Sequence, residues 1–165
     1  MARIEEEIQQ KKFRNAHQKA VINLIYTANW ILHKNQDFFK SYGITGQQFN
    51  ILRVLKGQHP QSISATEIKG RLLDRNSDVS RLLDRLAAKN LITRNSCPKD
   101  KRASDIFISS EGLDLLKEID KRQKEIDDVL ALTAEEAHQL SDLLDKCRGD
   151  ANLHTTNPLT ALKHQ

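Results

Sequence analysis

The 165-residue chain contains two cysteines, three prolines and six glycines. Cys97 and Cys147 stand too far apart for a C-x-x-C pair, so they provide neither a zinc framework nor a disulfide scaffold and read as thiols. Few prolines and glycines mean few helix breakers. Together with 38% hydrophobic and 29% charged residues, this favours a helix-rich soluble protein over a disordered or all-β one. No apolar run approaches the ~20 residues needed to cross a bilayer. The amino terminus, with Glu5, Glu6 and Glu7 close behind Arg3, lacks the apolar region of a signal peptide. A cytoplasmic protein is expected. There is no G-x-G-x-x-G, P-loop, H-E-x-x-H or G-x-S-x-G pattern, so an enzyme is not expected. His17, His33, His59, His138, His154 and His164 form no ligand spacing, so neither a metal nor another cofactor is expected.

The net charge of +4 is unevenly distributed. Between Ser64 and Ser104 ten basic side chains face five acidic ones, and this +5 alone exceeds the charge of the whole chain. The first 63 residues also carry +5, whereas Ser110 to Arg148 carries −5. Interspersed signs on the carboxyl-terminal helices read as a solvated face that needs no partner. The basic middle coincides with a motif.

Three capping boxes place helix starts: Thr45-Gly-Gln-Gln48, Ser64-Ala-Thr-Glu67 and Thr133-Ala-Glu-Glu136. With apolar periodicity they predict helices near 4–40, 46–57, 65–72, 77–89, 110–131 and 134–148. In the fourth of these, capped by Asn76 or Ser77, Val79, Leu82, Leu83 and Leu86 form a buried stripe. Ser77, Asp78, Ser80, Arg81 and Arg85 are left outward. Such a face suits a DNA major groove, where Arg can take guanine N7 and O6 together and Ser can bond base edges or phosphates. Asp78 would be repelled by phosphate. It reads chiefly as support for the helix amino end, with cytosine N4 as the other candidate partner.

Asn90 can end the helix in the left-handed conformation. Leu91-Ile92-Thr93-Arg94 and Asp105-Ile106-Phe107-Ile108-Ser109 then read as antiparallel strands, joined by a basic loop from Arg94 through Ser104 that carries Lys99, Lys101 and Arg102. Asp100, two residues before Arg102, can brace its guanidinium outward, towards a narrow minor groove. The fold class is therefore mainly α with a small β-hairpin wing (α+β), a winged helix-turn-helix with core at about 45–109 and double-stranded DNA as its expected partner.

The order Val79-Ser80-Arg81-Leu82-Leu83-Asp84-Arg85-Leu86, Leu91-Ile92-x-Arg94, Pro98-x-Asp100-x-Arg102 and Ile108-Ser109-x-x-Gly112 resembles the MarR family of bacterial transcriptional regulators. The resemblance spans the long first helix to Arg148, so that 1–148 reads as one domain. It implies a triangular homodimer with helices from both termini (about 4–40 and 110–148) at the interface, and two winged domains on a pseudopalindromic operator. Arg102 would be the minor-groove arginine and Asp100 its brace. Asn90 stands where the family usually has Gly, and Ser109 where it has Thr. The resemblance further implies a small aromatic or phenolic effector in a cleft between the dimerisation helices and the DNA-binding lobe, lined here by Trp30, His33, Phe38 and Tyr42. Oxidant sensing through an amino-terminal cysteine has no counterpart here, although Cys97, near Arg94, Lys99 and Lys101, is a candidate reactive thiol.

Apolar stripes on three helices also point to a second copy. They run through Val21, Leu24, Ile25, Ala28 and Leu32, through Leu113, Leu116, Ile119, Ile126 and Leu130, and through Leu140, Leu143, Leu144 and Cys147. The stripes equally suit a single-chain bundle core, but a small winged domain cannot cover three of them, so a homodimer is expected. The tail 149–165, with Asn157-Pro158, has no strong periodicity and would be either disordered or folded over the dimer. A protein-interaction module on the same winged fold is the rival to a DNA reader.

Overall fold

In the computed structural model, residues 2–74, 76–97 and 100–149 are described, with backbone alone over 96–97 and 100–104. The expectations for the tail 150–165 and for the Cys97 thiol therefore lie outside the described residues. The chain divides into a unit ending at Ile126 and a second beginning at Asp127.

The first unit opens with α1 (Ile4–Glu7) and α2 (Ala16–Lys40). A single helix from 4 to 40 was expected, but the chain leaves helical geometry between them. Gln9 takes φ +54°, and Asn15 restarts the helix by accepting from the Gln18 amide at 2.9 Å while Gln18 Oε1 accepts from the Arg14 amide. Those two reciprocal bonds satisfy amides that would otherwise be orphaned at a helix start. α1 folds back on α2 through Tyr26 Oη donating to Glu7 at 2.7 Å and a Lys19–Glu5 ion pair.

Next come α3 (Gly46–Gln58), α4 (Ala65–Arg71) and α5 (Val79–Ala88). Both expected boxes are present: Thr45 Oγ1 accepts from the Gln48 amide and Ser64 Oγ from the Glu67 amide, each at 3.2 Å, with the Gln48 and Glu67 side chains accepting in return. β1 (Ile92–Cys97) pairs antiparallel with β2 (Asp100–Ile108), Ile92 opposite Ile108 and Arg94 opposite Ile106. Ile63 adds a two-bond bridge to Ile106, stitching the segment before α4 to the hairpin. The strands extend through most of what was expected to be a loop from 94 to 104. The sequence from Asn95 to Ser104 shows no apolar alternation, so this outer ladder was not legible in it.

Ser109 starts α6 (Ser110–Asp120) by accepting from the Gly112 amide at 3.0 Å while its hydroxyl donates to the Asn90 carbonyl at 2.6 Å. Asn90 has φ +58°, the left-handed helix end expected of it. α7 (Gln123–Asp127) follows a break at Lys121–Arg122 and leads into a 3₁₀ turn (Asp128–Leu130), so the expected 110–131 helix is interrupted.

The core gathers Phe39, Ile51, Leu52, Leu55, Ile68, Leu83, Leu86 and Ile106 from α2 to β2. Leu116 and Ile119 of α6 are fully buried in it, with Leu113 and Ile126 packed alongside. Leu113, Leu116, Ile119 and Ile126 of the expected stripe thus pack on the winged domain's own core. The α2 stripe is different: Val21 is 56%, Ile25 57% and Leu32 64% exposed. In the second unit, Thr133 caps α8 (Ala134–Gly149) as expected, and Leu143 is exposed. No helix among the described residues is long and apolar enough to cross a membrane.

Candidate nucleic-acid interface

Helices α4 and α5 are joined by a turn whose conformation is held by side chains. Asp74 accepts from the Asn76 amide at 2.9 Å and from Ser77 Oγ at 3.1 Å, and Gln47 of α3 donates to Ser77 Oγ at 3.1 Å and to Asp74 at 3.3 Å. Ser77 is therefore buried, 8% exposed, and faces the turn instead of the groove. Its expected place on the outward face is corrected, and so is its role as a cap. The N-cap is Asp78, whose Oδ1 accepts from the Arg81 amide at 3.2 Å. A carboxylate at this position also complements the positive end of the helix dipole.

Val79, Leu82, Leu83 and Leu86 are buried as expected, which rotates Ser80, Arg81, Asp84 and Arg85 outward. Arg81 lies at the middle of that face, its Nε 3.2 Å from Asp78 Oδ2, with 79% of its side chain exposed. On one flank Arg94 of β1 donates to Asp84 at 2.7 Å and to the Ser80 carbonyl at 3.4 Å. On the other, Arg85 lines a cleft with Lys40 and Lys89, where α2, α3 and α5 meet. Asp84 and Arg94 were not singled out as site residues. Asp84 was legible, since its helical spacing places it beside Arg81. Arg94 was not, because its role depends on how the hairpin packs against α5.

Of the expected wing residues, Lys99 lies outside the described residues, as do the side chains of Asp100, Lys101 and Arg102. The backbone of Asp100–Arg102 belongs to β2. The four ring-bearing residues expected around an effector separate into three places. Trp30 lines a pocket of about 390 Å³ together with Ile4, Glu7 and Tyr26, and none of His33, Phe38 and Tyr42 takes part in it. Phe38 sits 5.4 Å from Tyr42 and edge-on to Phe39 at 5.2 Å, with the Arg122 guanidinium 5.1 Å over its ring. Hydrogen bonds to Glu125 and then Tyr42 hold that guanidinium firmly protonated. His33 is exposed on α2.

A helical pair joined by a side-chain-pinned turn, followed by a two-stranded hairpin tied to the second helix, defines a winged helix-turn-helix protein. Residues 42–103 match the model of the MarR family. Among curated relatives, the HTH-type transcriptional regulator PapX of Escherichia coli is 28% identical over 83 residues, covering 50% of this chain and 51% of PapX. The chain thus spans about half the length of that relative. Among solved structures, the MarR transcription factor from Planctomyces limnophilus superposes with a TM-score of 0.65 at 27% identity, covering 81% of this chain and 98% of that one. A mutant MarR from E. coli complexed with operator DNA shares the fold with a TM-score of 0.65 at 22% identity, covering 88% of this chain and 99% of that one.

Proposed function

We propose that this chain is a sequence-specific, DNA-binding transcriptional regulator of the cytoplasm that represses from a pseudopalindromic operator as a homodimer. The observation that carries the proposal is the outward face of α5, where Arg81 and Arg85 stand exposed beside a hairpin rich in lysine and arginine. A helix of this kind enters the major groove, and a basic hairpin tip follows the backbone into the neighbouring minor groove. The fold shared with a regulator complexed with operator DNA supports the same reading.

In this proposal Ser80, Arg81 and Arg85 face the major groove, and Lys99, Lys101 and Arg102 serve the wing, with Asp100 bracing Arg102. The second copy pairs through the exposed stripe of α2. A small aromatic effector acts through that helix and the turn after it, along which Trp30, His33, Phe38 and Tyr42 lie. The test is fluorescence anisotropy on genomic fragments selected by the parent protein. Arg81→Ala should weaken binding by ~1 to 3 kcal/mol and relax base preference at one position per half-site. Arg102→Ala should weaken binding and flatten its salt dependence. If both variants bind the selected fragments as the parent does, with no steep salt dependence in any of the three, the proposal is wrong.

A further inference from the structure

We infer that Asp78 is a positioning residue for base recognition, holding Arg81 in the one orientation that reads a guanine end-on; the inference rests on the proposed DNA-binding function.

The carboxylate of Asp78 has two distinct tasks. Oδ1 accepts from the Arg81 backbone amide at 3.2 Å, as a helix cap does. Oδ2 sits 3.2 Å from Nε of the same Arg81. One residue thus fixes both ends of the arginine, its backbone through the cap and its guanidinium through the ion pair. With Nε paired to Asp78, the Nη1 and Nη2 donors at the far end of the planar group remain available to a base. Those two donors match the spacing of guanine N7 and O6.

A side chain 79% exposed and anchored nowhere else among the described residues would lose its rotamer freedom on entering the groove. Asp78 removes much of that loss beforehand and narrows the set of bases the guanidinium can satisfy. The pairing also accounts for an acid on a DNA-facing helix end. Its negative charge, which would repel phosphate if left alone, is neutralised by the arginine it orients. A plain capping residue would need only Oδ1, and Asn or Ser would serve equally well there.

The experiment compares the parent with Asp78→Asn, Asp78→Ala, Arg81→Ala and the double variant Asp78→Asn/Arg81→Ala. Each is tested on a parent-selected operator fragment and on its single-base-pair substitutions, alongside thermal denaturation. Asp78→Asn retains the cap and should melt with the parent, while losing about 3- to 10-fold of its discrimination at the same base pair where Arg81→Ala loses its own. The double variant should discriminate no worse than Arg81→Ala alone. Parent-like preference in Asp78→Asn at every position would overturn the inference, leaving Asp78 as a cap only. Relaxation confined to a cytosine that Arg81→Ala does not affect would overturn it in favour of direct reading by the carboxylate. A parent that selects no fragment overturns the regulator proposal and this inference together, whereas a selective parent whose preference survives Asp78→Asn overturns this inference alone.

Discussion

Arg94 of β1 spans to α5, donating through Nη1 to the Asp84 carboxylate at 2.7 Å and through Nη2 to the Ser80 carbonyl at 3.4 Å. One side chain therefore sets the wing against the helix that presents Arg81. It also neutralises Asp84, an acid on the same outward face as Arg81.

Replacing Arg94 should accordingly affect DNA binding more than folding. Asp84 is 67% exposed, so the pair contributes at most ~1 kcal/mol to stability. Arg94→Ala leaves the Asp84 charge facing phosphate and loosens the hairpin. Operator affinity should fall by about tenfold, roughly the effect of a lost charge-assisted bond, while the melting temperature shifts by a few degrees at most. Adding Asp84→Asn should restore part of the affinity. Anisotropy titrations and thermal melts of the two variants check this.

Gly112 is required by a close approach of backbone to backbone. A Cβ there would lie 2.3 Å from the Leu91 carbonyl oxygen and 2.8 Å from Ile108 Cγ1, and a carbonyl at the helix-to-strand junction, held by the Ser109 amide, cannot yield. Gly112→Ala should destabilise the domain by ~1 to 3 kcal/mol or more. Gly70 in α4 has nothing within 4 Å of such a Cβ, and Gly70→Ala should instead stabilise by about 0.4 to 1 kcal/mol. Urea denaturation of the pair should show shifts of opposite sign.

The exposed stripe on α2 should disappear from solvent in a dimer. Ile25→Glu and Leu32→Glu place a charge in that contact and are expected to yield monomers with unchanged helical circular dichroism. Sedimentation equilibrium distinguishes this from a parent that is already monomeric, which would refute the homodimer.

Asp120 links α6 to α3 by accepting from Lys56 at 3.0 Å and from Arg53. Burial works against its charge, but the hydrogen bonds from Arg53 and Lys56 outweigh this and hold its carboxyl below the ordinary value. A carboxylate with a depressed folded-state pKa adds stability above its unfolded pKa, and the gain is lost as pH falls through the folded one. Asp120→Asn should thus lower stability at pH 7 by less than ~1 kcal/mol, the side chain being 36% exposed. The difference from the parent should vanish well below pH ~4. Thermal melts across that range measure it.

Several elements were legible because their causes lie within a few residues of each other. Thr45 with Gln48, Ser64 with Glu67 and Thr133 with Glu136 each close a ring between side chain and backbone three positions away, so a four-residue pattern locates a helix start. The stripe Val79, Leu82, Leu83 and Leu86 and the left-handed Asn90 are equally local. From these came the helix-turn-helix and the outward placement of Arg81.

Tertiary structure decided what local pattern leaves ambiguous. Ser77 could equally have been cap or groove contact, until Gln47 and Asp74 drew its hydroxyl inward and left the cap to Asp78. The stripes of α2 and α6 look alike in sequence, yet Leu116 and Ile119 are buried in the winged core while Val21, Ile25 and Leu32 remain exposed. Apolar periodicity states that a face must be covered and says nothing of what covers it. The sequence by itself thus determined where α3, α4 and α8 start and which residues line and end α5, because those interactions span a single turn. Only the fold decided which face meets which, and with it the ties from Gln47 to Ser77 and from Arg94 to Asp84, because these join residues that the chain alone does not bring together.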